Sequence, residues 1–409
     1  MVSMMFNEIE LSSVITDIAA GPFGSNLKVS CFVPYGFPII DGANLKGFKV
    51  TDNLTKFVTE EKARSLSRSI ARRGDVIITI SGTLGQIAYI PDDSMFEEYL
   101  CSQRQFRVSF DSSRVYVPYL VFYFHTNEGQ GKILSFANQT GVPALSQPLK
   151  NFRKIRIQLP SYTEQRRIAS VIEAINDKIE CNQKVNDNLQ QQAAAIFRSW
   201  FVDCAPFGGK APNEWKNVTL EDITALISRG ITPKYADDTD QIVINQKCIR
   251  NHTIDLSLAR THTPKVINEK WLRFGDLLIN STGDGTLGRA AQVWFQPKNL
   301  TVDSHVTIAR PAKENLIFYI GLWGILHEKE IESLHTGSTG QTELPRDRVK
   351  AMELRLPDND TLDRFNALIT PMAAAIVANQ EENNRLAALR DAILPKLMSG
   401  EIDVSAVQL

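Results

Sequence analysis

Gly283, Gly285 and Gly288 stand in the spacing G-x-G-x-x-G within "NSTGDGTLGRAA". Glycines so spaced let backbone N–H groups approach a pyrophosphate, and Asp303, twenty residues past the first glycine, has the reach for a ribose hydroxyl. That chemistry needs a strand before the loop and a helix after it. Asp276-Leu277-Leu278-Ile279 supplies the strand, but "RAAQVWFQPKNLTV" carries Trp294, Phe295 and Pro297 and reads as a second strand ending in a turn. Other chemistry is no better supported. Ser81-Gly82 and Ser281-Thr282-Gly283 lack the G-x-S-x-G setting of an activated serine. His125, His252, His262, His305, His327 and His335 show neither H-E-x-x-H nor close ligand spacing, and read as ordinary core or surface imidazoles. Neither an [NDS]-P-P-[FYW] methyltransferase signature nor a Walker A loop occurs, and the acids are scattered without a catalytic pair.

The elements that carry these residues repeat. "RRGDVIITISGTLGQIAYI" (72–90) and "RFGDLLINSTGDGTLGRAAQV" (273–293) share Arg, Gly-Asp, an apolar run and Gly-Thr-Leu-Gly, at 82–85 and 285–288. The first copy lacks the leading glycine and has no acid in the place of Asp303. What the two share is a glycine-flanked turn between strands, so the loop is expected to be a hairpin-like turn and not a cofactor cradle. Further on, "IRIQLP" (155–160) and "MELRLP" (352–357) each run into a long helical stretch, related without a gap at an offset of 197. A period near 200 is too long for a solenoid and indicates two copies of one large unit.

Each unit ends in an amphipathic helix. Ile168, Ile172, Ile175, Ile179, Asn182, Asn186, Leu189, Ala193, Ile196 and Trp200 alternate at spacings of four and three, a heptad seam of about 33 residues or roughly 50 Å. Phe365, Ile369, Met372, Ile376, Asn379, Asn383, Leu386, Arg390, Ile393 and Leu397 hold the same places in the second copy. The seams are expected to pack together. Under a pseudo-two-fold relation the helices run antiparallel, which puts Asn182 near Asn383 and Asn186 near Asn379 as a polar register lock. Pro371 is expected to kink or delay the second helix, and Pro395 to end it. The region 201–216, "FVDCAPFGGKAPNEWK", reads as a linker.

Composition is that of an ordinary globular chain of 409 residues, 43% hydrophobic and 22% charged, long enough for more than one core. The net charge of −1 gives no global basic field, so nucleic-acid contact has to come from a local face. Cys31, Cys101, Cys181, Cys204 and Cys248 form no C-x-x-C, which suggests free thiols in a reducing compartment. "MVSMMFNEIE" has no basic n-region and no run of about 18 apolar residues occurs, so a cytoplasmic location without membrane contact is expected.

The chain resembles the specificity (S) subunits of type I restriction–modification systems. The resemblance rests on "AAGPFGSNLK" (19–28), "TGVPALSQPLKNFRKIRIQLPSYTEQRRIASVIEAIN" (140–176), "LRDAILPKLMSGEID" (389–403) and the tandem arrangement. The joint Leu159-Pro160 followed by Glu164-Gln165 and Ile168 is specific; in the second copy Thr361-Leu362 replaces Glu-Gln. The resemblance implies an α+β chain with two similar globular target-recognition domains, separated by a pair of long antiparallel coiled-coil helices. It places the first domain at 1–160, its helix at 161–203, linker and second domain at 204–357, and the second helix with a tail at 358–409. It implies double-stranded DNA as ligand, with each domain reading half of a split site. It also implies two methyltransferase subunits and further restriction–translocase subunits as partners, which hold S-adenosylmethionine, ATP and Mg. It implies no cofactor and no catalysis in the chain itself.

DNA reading needs Lys and Arg on phosphates and Asn, Gln, Arg, Ser or Thr at base edges. Ser25, Asn26, Lys28, Lys46, Gln103, Arg104, Arg107, Gln139, Thr140 and Lys150 are the candidates of the first domain. Arg229, Thr232, Lys234, Lys247, Arg250, Arg289, His305, Gln341 and Thr342 fall in comparable places in the second. Arg64, Arg68, Arg72 and Arg73 are expected to form a basic surface, toward DNA or a partner. Arg166, Arg167, Glu173 and Lys178 are assigned to the outer helix face, where partner subunits would dock. Strands are expected near 38–41, 75–80, 86–90, 104–110 and 153–158, and again near 242–245, 276–280, 290–295, 304–309 and 351–355. Helices are expected near 60–71, 116–127 and 314–328, with short helices at the start of each domain. Two other readings stay open. A combined DNA methyltransferase would bind S-adenosylmethionine, and a coiled-coil adaptor unrelated to DNA would give no salt-dependent shift of duplex DNA.

Overall fold

The computed structural model describes residues 7–138, 143–283, 285–337 and 342–408. The chain divides into two units, Met1–Lys178 with Arg385–Leu409, and Ile179–Asn384.

In the first unit the central sheet is antiparallel, in the order Ile15–Ala20, Gln105–Phe110, Val76–Thr79, Ile87–Tyr89. Val76-Ile77-Ile78 is apolar throughout because the strand is covered on both faces. Val76 and Ile78 join a core with Phe106, Leu120 and Phe124, whereas Ile77 points the other way into a second core with Ile40, Tyr99 and Cys101. The helix Val117–Phe124 forms one covering layer. A smaller sheet forms the other, with Phe37–Ile40 parallel to Glu98–Cys101. Asn7–Glu10 pairs antiparallel with Arg156–Leu159, so the strand that feeds the long helix is fixed at its start.

The second unit has the same plan. Its central sheet runs Thr224–Arg229, Val306–Pro311, Leu277–Asn280, Ala290–Gln292, and Ile242–Ile244 lies parallel to Leu300–Val302 in the smaller sheet. Lys216–Thr219 pairs with Glu353–Leu356. Leu277 and Ile279 face the helix Ile317–Leu326, and Leu278 faces Ile244 and Val302.

Gly-Asp recurs in both copies for a structural reason. Asp75 Oδ2 accepts from the Arg72 N–H at 2.9 Å and Asp276 Oδ2 from the Arg273 N–H at 2.8 Å, closing the turn into each central strand.

The long helices are Tyr162–Phe197 and Asn359–Met398. A capping box starts the first: the Ser161 N–H donates to Glu164 at 3.0 Å and the Glu164 N–H to Ser161 Oγ at 3.3 Å. Gln165, fully buried, accepts from the Tyr116 N–H at 2.8 Å and donates to the Arg114 and Pro160 carbonyls. Its counterpart Leu362 enters an apolar core instead, and Asp358 caps the second helix by accepting from the Thr361 N–H at 2.9 Å. Each solution is self-consistent, which accounts for the departure from Glu-Gln in the second copy.

Within the second unit the helices run antiparallel. Asn182 Nδ2 donates to Asn383 Oδ1 at 2.9 Å and to Glu382 Oε2 at 2.7 Å, and Asn379 Nδ2 donates to Asn186 Oδ1 at 2.8 Å. Within the first unit Arg390 donates to Asn176 Oδ1 at 3.1 Å, and Ile168 and Ile172 share a core with Leu394 and Leu397. Asn182 is buried, so its amide forgoes water for this network. Buried seam amides fix register at a cost in stability. Asn182→Leu is expected to raise the melting temperature by about 2–4 °C for each kcal/mol gained, with looser register on cysteine cross-linking across the seam. An unchanged melting point with a single cross-linked pairing contradicts this.

Several local expectations are corrected. Glu60–Ser65 is helical, but Ile70–Arg72 is a strand against Glu98–Cys101. In each copy the first of the described strands, Asn7–Glu10 and Lys216–Thr219, precedes a short 3-10 helix, Leu11–Ser13 and Glu221–Ile223, so the short helices follow a strand and do not lead it. Pro371 and Pro395 both lie inside the second long helix, which ends at Met398. Both prolines are exposed, as are Ala367 and Asp391 whose carbonyls they leave without a helical donor, so water can satisfy those carbonyls. Residues 201–216 pack in the second unit: Trp215 is buried, with its ring centroid 5.7 Å from Phe201 and 5.2 Å from Phe207.

Candidate nucleic-acid interface

In the first unit four segments meet at one edge of the central sheet. The chain leaves the strand Ile15–Ala20 at Gly21, whose N–H donates to the Gln105 carbonyl at 2.8 Å. A Cβ on Gly21 would lie 1.9 Å from the Ser102 carbonyl oxygen, so only glycine passes there. The loop beyond, bearing Ser25, Asn26 and Lys28, is tied down by Gln103, whose amide donates to the Gly24 and Leu27 carbonyls at 3.1 and 2.6 Å. The Ile80 N–H donates to the Arg104 carbonyl at 2.6 Å and the Leu145 N–H to the Ile80 carbonyl at 2.8 Å. Gln86 reaches from the hairpin to the Gly42 carbonyl at 3.0 Å. These ties enclose an open hollow of about 870 Å³ lined in part by Lys46, Lys56, Thr83, Gln86, Gln103 and Arg104.

The second unit repeats the construction. The Gly230 N–H donates to the Val306 carbonyl at 3.1 Å, and a Cβ there would lie 1.8 Å from the Val302 oxygen. The Ser281 N–H donates to the His305 carbonyl and the Leu344 N–H to the Ser281 carbonyl, both at 2.8 Å. Asn280 Nδ2 ties in the turn after Ile242–Ile244, bonding the Gln246 carbonyl at 3.1 Å. Asp303 accepts from the His305 N–H at 2.9 Å, and burial pushes its carboxyl above the usual range. The acid in ribose position is therefore a turn former. Gly283, Gly285 and Gly288 have positive φ in a loop that leads into the strand Ala290–Gln292, with no helix for a pyrophosphate to sit on.

Of the sequence candidates, Ser25, Asn26, Lys28, Lys46, Gln103 and Arg104 are exposed at or beside the first edge, and Lys150 is exposed on the short helix Pro148–Arg153. Arg107 is corrected. It is a buried residue of the strand Gln105–Phe110, donating to Asp17 at 2.5 Å and to the Arg68 carbonyl at 3.1 Å, and its guanidinium holds the Asp17 carboxyl below the usual range. In the second unit Thr232, Lys234, Lys247 and His305 are exposed, and Thr342 is half-buried. Arg289 donates to the Gly285 carbonyl at 2.8 Å within its own loop. Arg229 pairs with Glu343 and donates to the Leu344 carbonyl at 2.8 Å, so it clamps a neighbouring segment and is not a free cation. Arg250 lies apart, on a ribbon whose tip, Asn251-His252, lines a cleft with Asp187, Gln190 and Gln191 of the first long helix. Gln139, Thr140 and Gln341 lie outside the described residues.

The arginine row is mostly internally paired: Arg64 and Arg72 both bind Glu98, and Arg73 binds the Ser94 carbonyl. Glu173 is corrected from the outer helix face, since it is half-buried and accepts the Tyr116 hydroxyl at 3.1 Å. Lys56, Thr83 and Gln86 were not singled out in the sequence. Gln86 directly follows the Gly-Thr-Leu-Gly turn, which is the one signal pointing to it. Among the described residues no group of His, Cys, Asp and Glu is placed to hold a metal, and no helix is long and apolar enough to cross a membrane.

Residues 33–191 match the family described as the type I restriction modification DNA specificity domain. The chain is 25% identical over 374 residues to the type I restriction enzyme MjaIX specificity subunit of Methanocaldococcus jannaschii, covering 85% of this chain and 82% of that one. It is 20% identical over 415 residues to the HindI specificity subunit of Haemophilus influenzae, covering 82% and 88%. The crystal structure of a type I restriction-modification S subunit from M. genitalium matches with a TM-score of 0.55 at 12% identity, over 97% of both chains, a likeness of fold. With two modules of one plan, each joined to a long helix, the chain belongs to the specificity subunits of type I restriction–modification systems.

Proposed function

We propose that this chain confers DNA sequence specificity on a type I restriction–modification complex and performs no chemistry of its own. Each module, 1–160 and 204–357, reads one half of a bipartite duplex site. The helices, 161–203 and 358–409, set the unread gap between the halves and dock two methyltransferase subunits. Restriction–translocase subunits join that assembly in the cytoplasm, and S-adenosylmethionine, ATP and Mg are bound by the partners. The observation that carries this reading is the duplicated edge. Gly21 and Gly230, the Ile80–Arg104 and Ser281–His305 bonds, and the 144–145 and 343–344 segments recur in one arrangement, presenting polar and basic side chains to solvent. Such an edge supplies phosphate-positioning cations and base-edge donors together.

Methylome sequencing of the host with and without the gene tests it. The expected result is a split adenine-methylated motif that disappears on deletion. Retention of every methylated motif in the deletion strain contradicts it.

A further inference from the structure

We propose that Arg104 and His305 are the base-reading residues at one equivalent position of the two modules, and that their different chemistry makes the half-sites differ there. The inference rests on the DNA reading above and goes on to name the residues that set each half-site.

The equivalence is structural. Val76–Thr79 corresponds to Leu277–Asn280, and Gln105–Phe110 to Val306–Pro311, at a common offset of 201. That offset carries Arg104 onto His305. The backbone agrees, since Arg104 accepts from the Ile80 N–H at 2.6 Å and His305 from the Ser281 N–H at 2.8 Å. Each residue ends a turn held from within, by Gln105 N–H to the Ser102 carbonyl and by Val306 N–H to the Asp303 carbonyl, both at 3.2 Å. Neighbouring polar side chains are already engaged. The Gln103 amide holds the Gly24 and Leu27 carbonyls, and the Asp303 carboxylate holds the His305 N–H. Arg104 and His305 are exposed on these fixed turns, and Gln103, also exposed, has its amide committed to the loop.

The two chemistries differ. The guanidinium of Arg104 passes beside Gly82, where a Cβ would lie 3.7 Å from Nη1. Its planar fork can donate twice to one base, the pattern that matches guanine O6 and N7. His305 has Nδ1 occupied by Thr282 Oγ1 at 2.7 Å, which leaves Nε2 alone to face outward. One nitrogen makes one hydrogen bond, as donor or acceptor according to tautomer, and cannot make the fork. The first half-site should hold a strongly specified guanine where the second is specified by a single weaker bond.

Selection of bound duplexes from a random-sequence pool by the full-length chain tests this. Arg104→Ala should relax one guanine of one half-site by roughly 10- to 100-fold and leave the other half unchanged. Arg104→Lys should retain affinity and lose the same guanine. His305→Arg should add a guanine preference in the other half, while Lys46→Ala lowers affinity without altering the motif. Circular dichroism melting verifies that the variants fold, as exposed positions should allow. A wild-type motif that persists letter for letter in Arg104→Ala and His305→Arg overturns the assignment while the DNA reading stands. A wild-type chain that selects no motif overturns the DNA reading itself and the assignment with it.

Discussion

Asp276→Ala should destabilise the second unit by about 3–5 kcal/mol, because it strands a buried guanidinium. Arg310 donates to Asp276 through Nε at 2.8 Å and Nη2 at 2.7 Å, and Nη1 and Nη2 also donate to the Glu269 and Trp271 carbonyls at 2.8 and 2.7 Å. The side chains are 8% and 1% exposed, so water cannot replace the lost carboxylate. Hydrogen exchange should accelerate across Leu277–Asn280 and Val306–Pro311 while the sheet of the first unit keeps its protection. The double variant Asp276→Ala with Arg310→Met should recover much of the loss, because removing both charges also removes the desolvation cost. Asp75→Asn, at the equivalent place, should cost less. There the acid is held by the Ser109 hydroxyl at 2.5 Å while Arg107 stands 3.9 Å away, and burial pushes its carboxyl above the usual range. Equal losses at the two positions, or a double variant no more stable than Asp276→Ala, would contradict the contrast between a tight ion pair and a shared hydrogen bond.

These residues also show where the sequence stops being legible. The seam could be read because a helix has a short, local period: the isoleucines and the paired asparagines of both copies declare their face within a few turns. The Gly-Thr-Leu-Gly hairpins could be read because the first copy lacks the extra glycine, which removes the phosphate-loop interpretation. The position of Arg107 could not. "QFRVSF" offers one charge among apolar neighbours, and its acceptors Asp17 and the Arg68 carbonyl come from remote segments. Ile70–Arg72 extended the helical pattern of 60–69 and is instead drawn into a sheet by Glu98–Cys101, a tertiary override of local preference. A start delayed to Pro371 and an end at Pro395 are the wrong expectations, because propensity counts the missing bond and not the packing of the 40-residue helix around it. Lys56, Thr83 and Gln86 reach the same hollow as Arg104 only after folding, so spacing along the chain gave no notice of them.

The antiparallel Asn182–Asn383 and Asn186–Asn379 pairs give the second large expectation, because they index one helix against the other. A heptad inserted in one helix alone displaces that indexing and buries unmatched amides, so sequence-specific binding should be lost. A heptad inserted into both helices, beside Asn182 and beside Asn383, restores the seam and lengthens it by about 10.5 Å. At 3.4 Å per base pair this corresponds to about three base pairs of unread DNA. Each added pair also turns the second half-site by about a tenth of a helical turn, so affinity should fall even as the spacing changes.

Duplex selection with the doubly lengthened chain is therefore the most direct measurement. Both half-sites should be recovered unchanged, with the gap between them about three base pairs longer than for the natural chain. Recovery of the original gap would show that the paired helices do not set it.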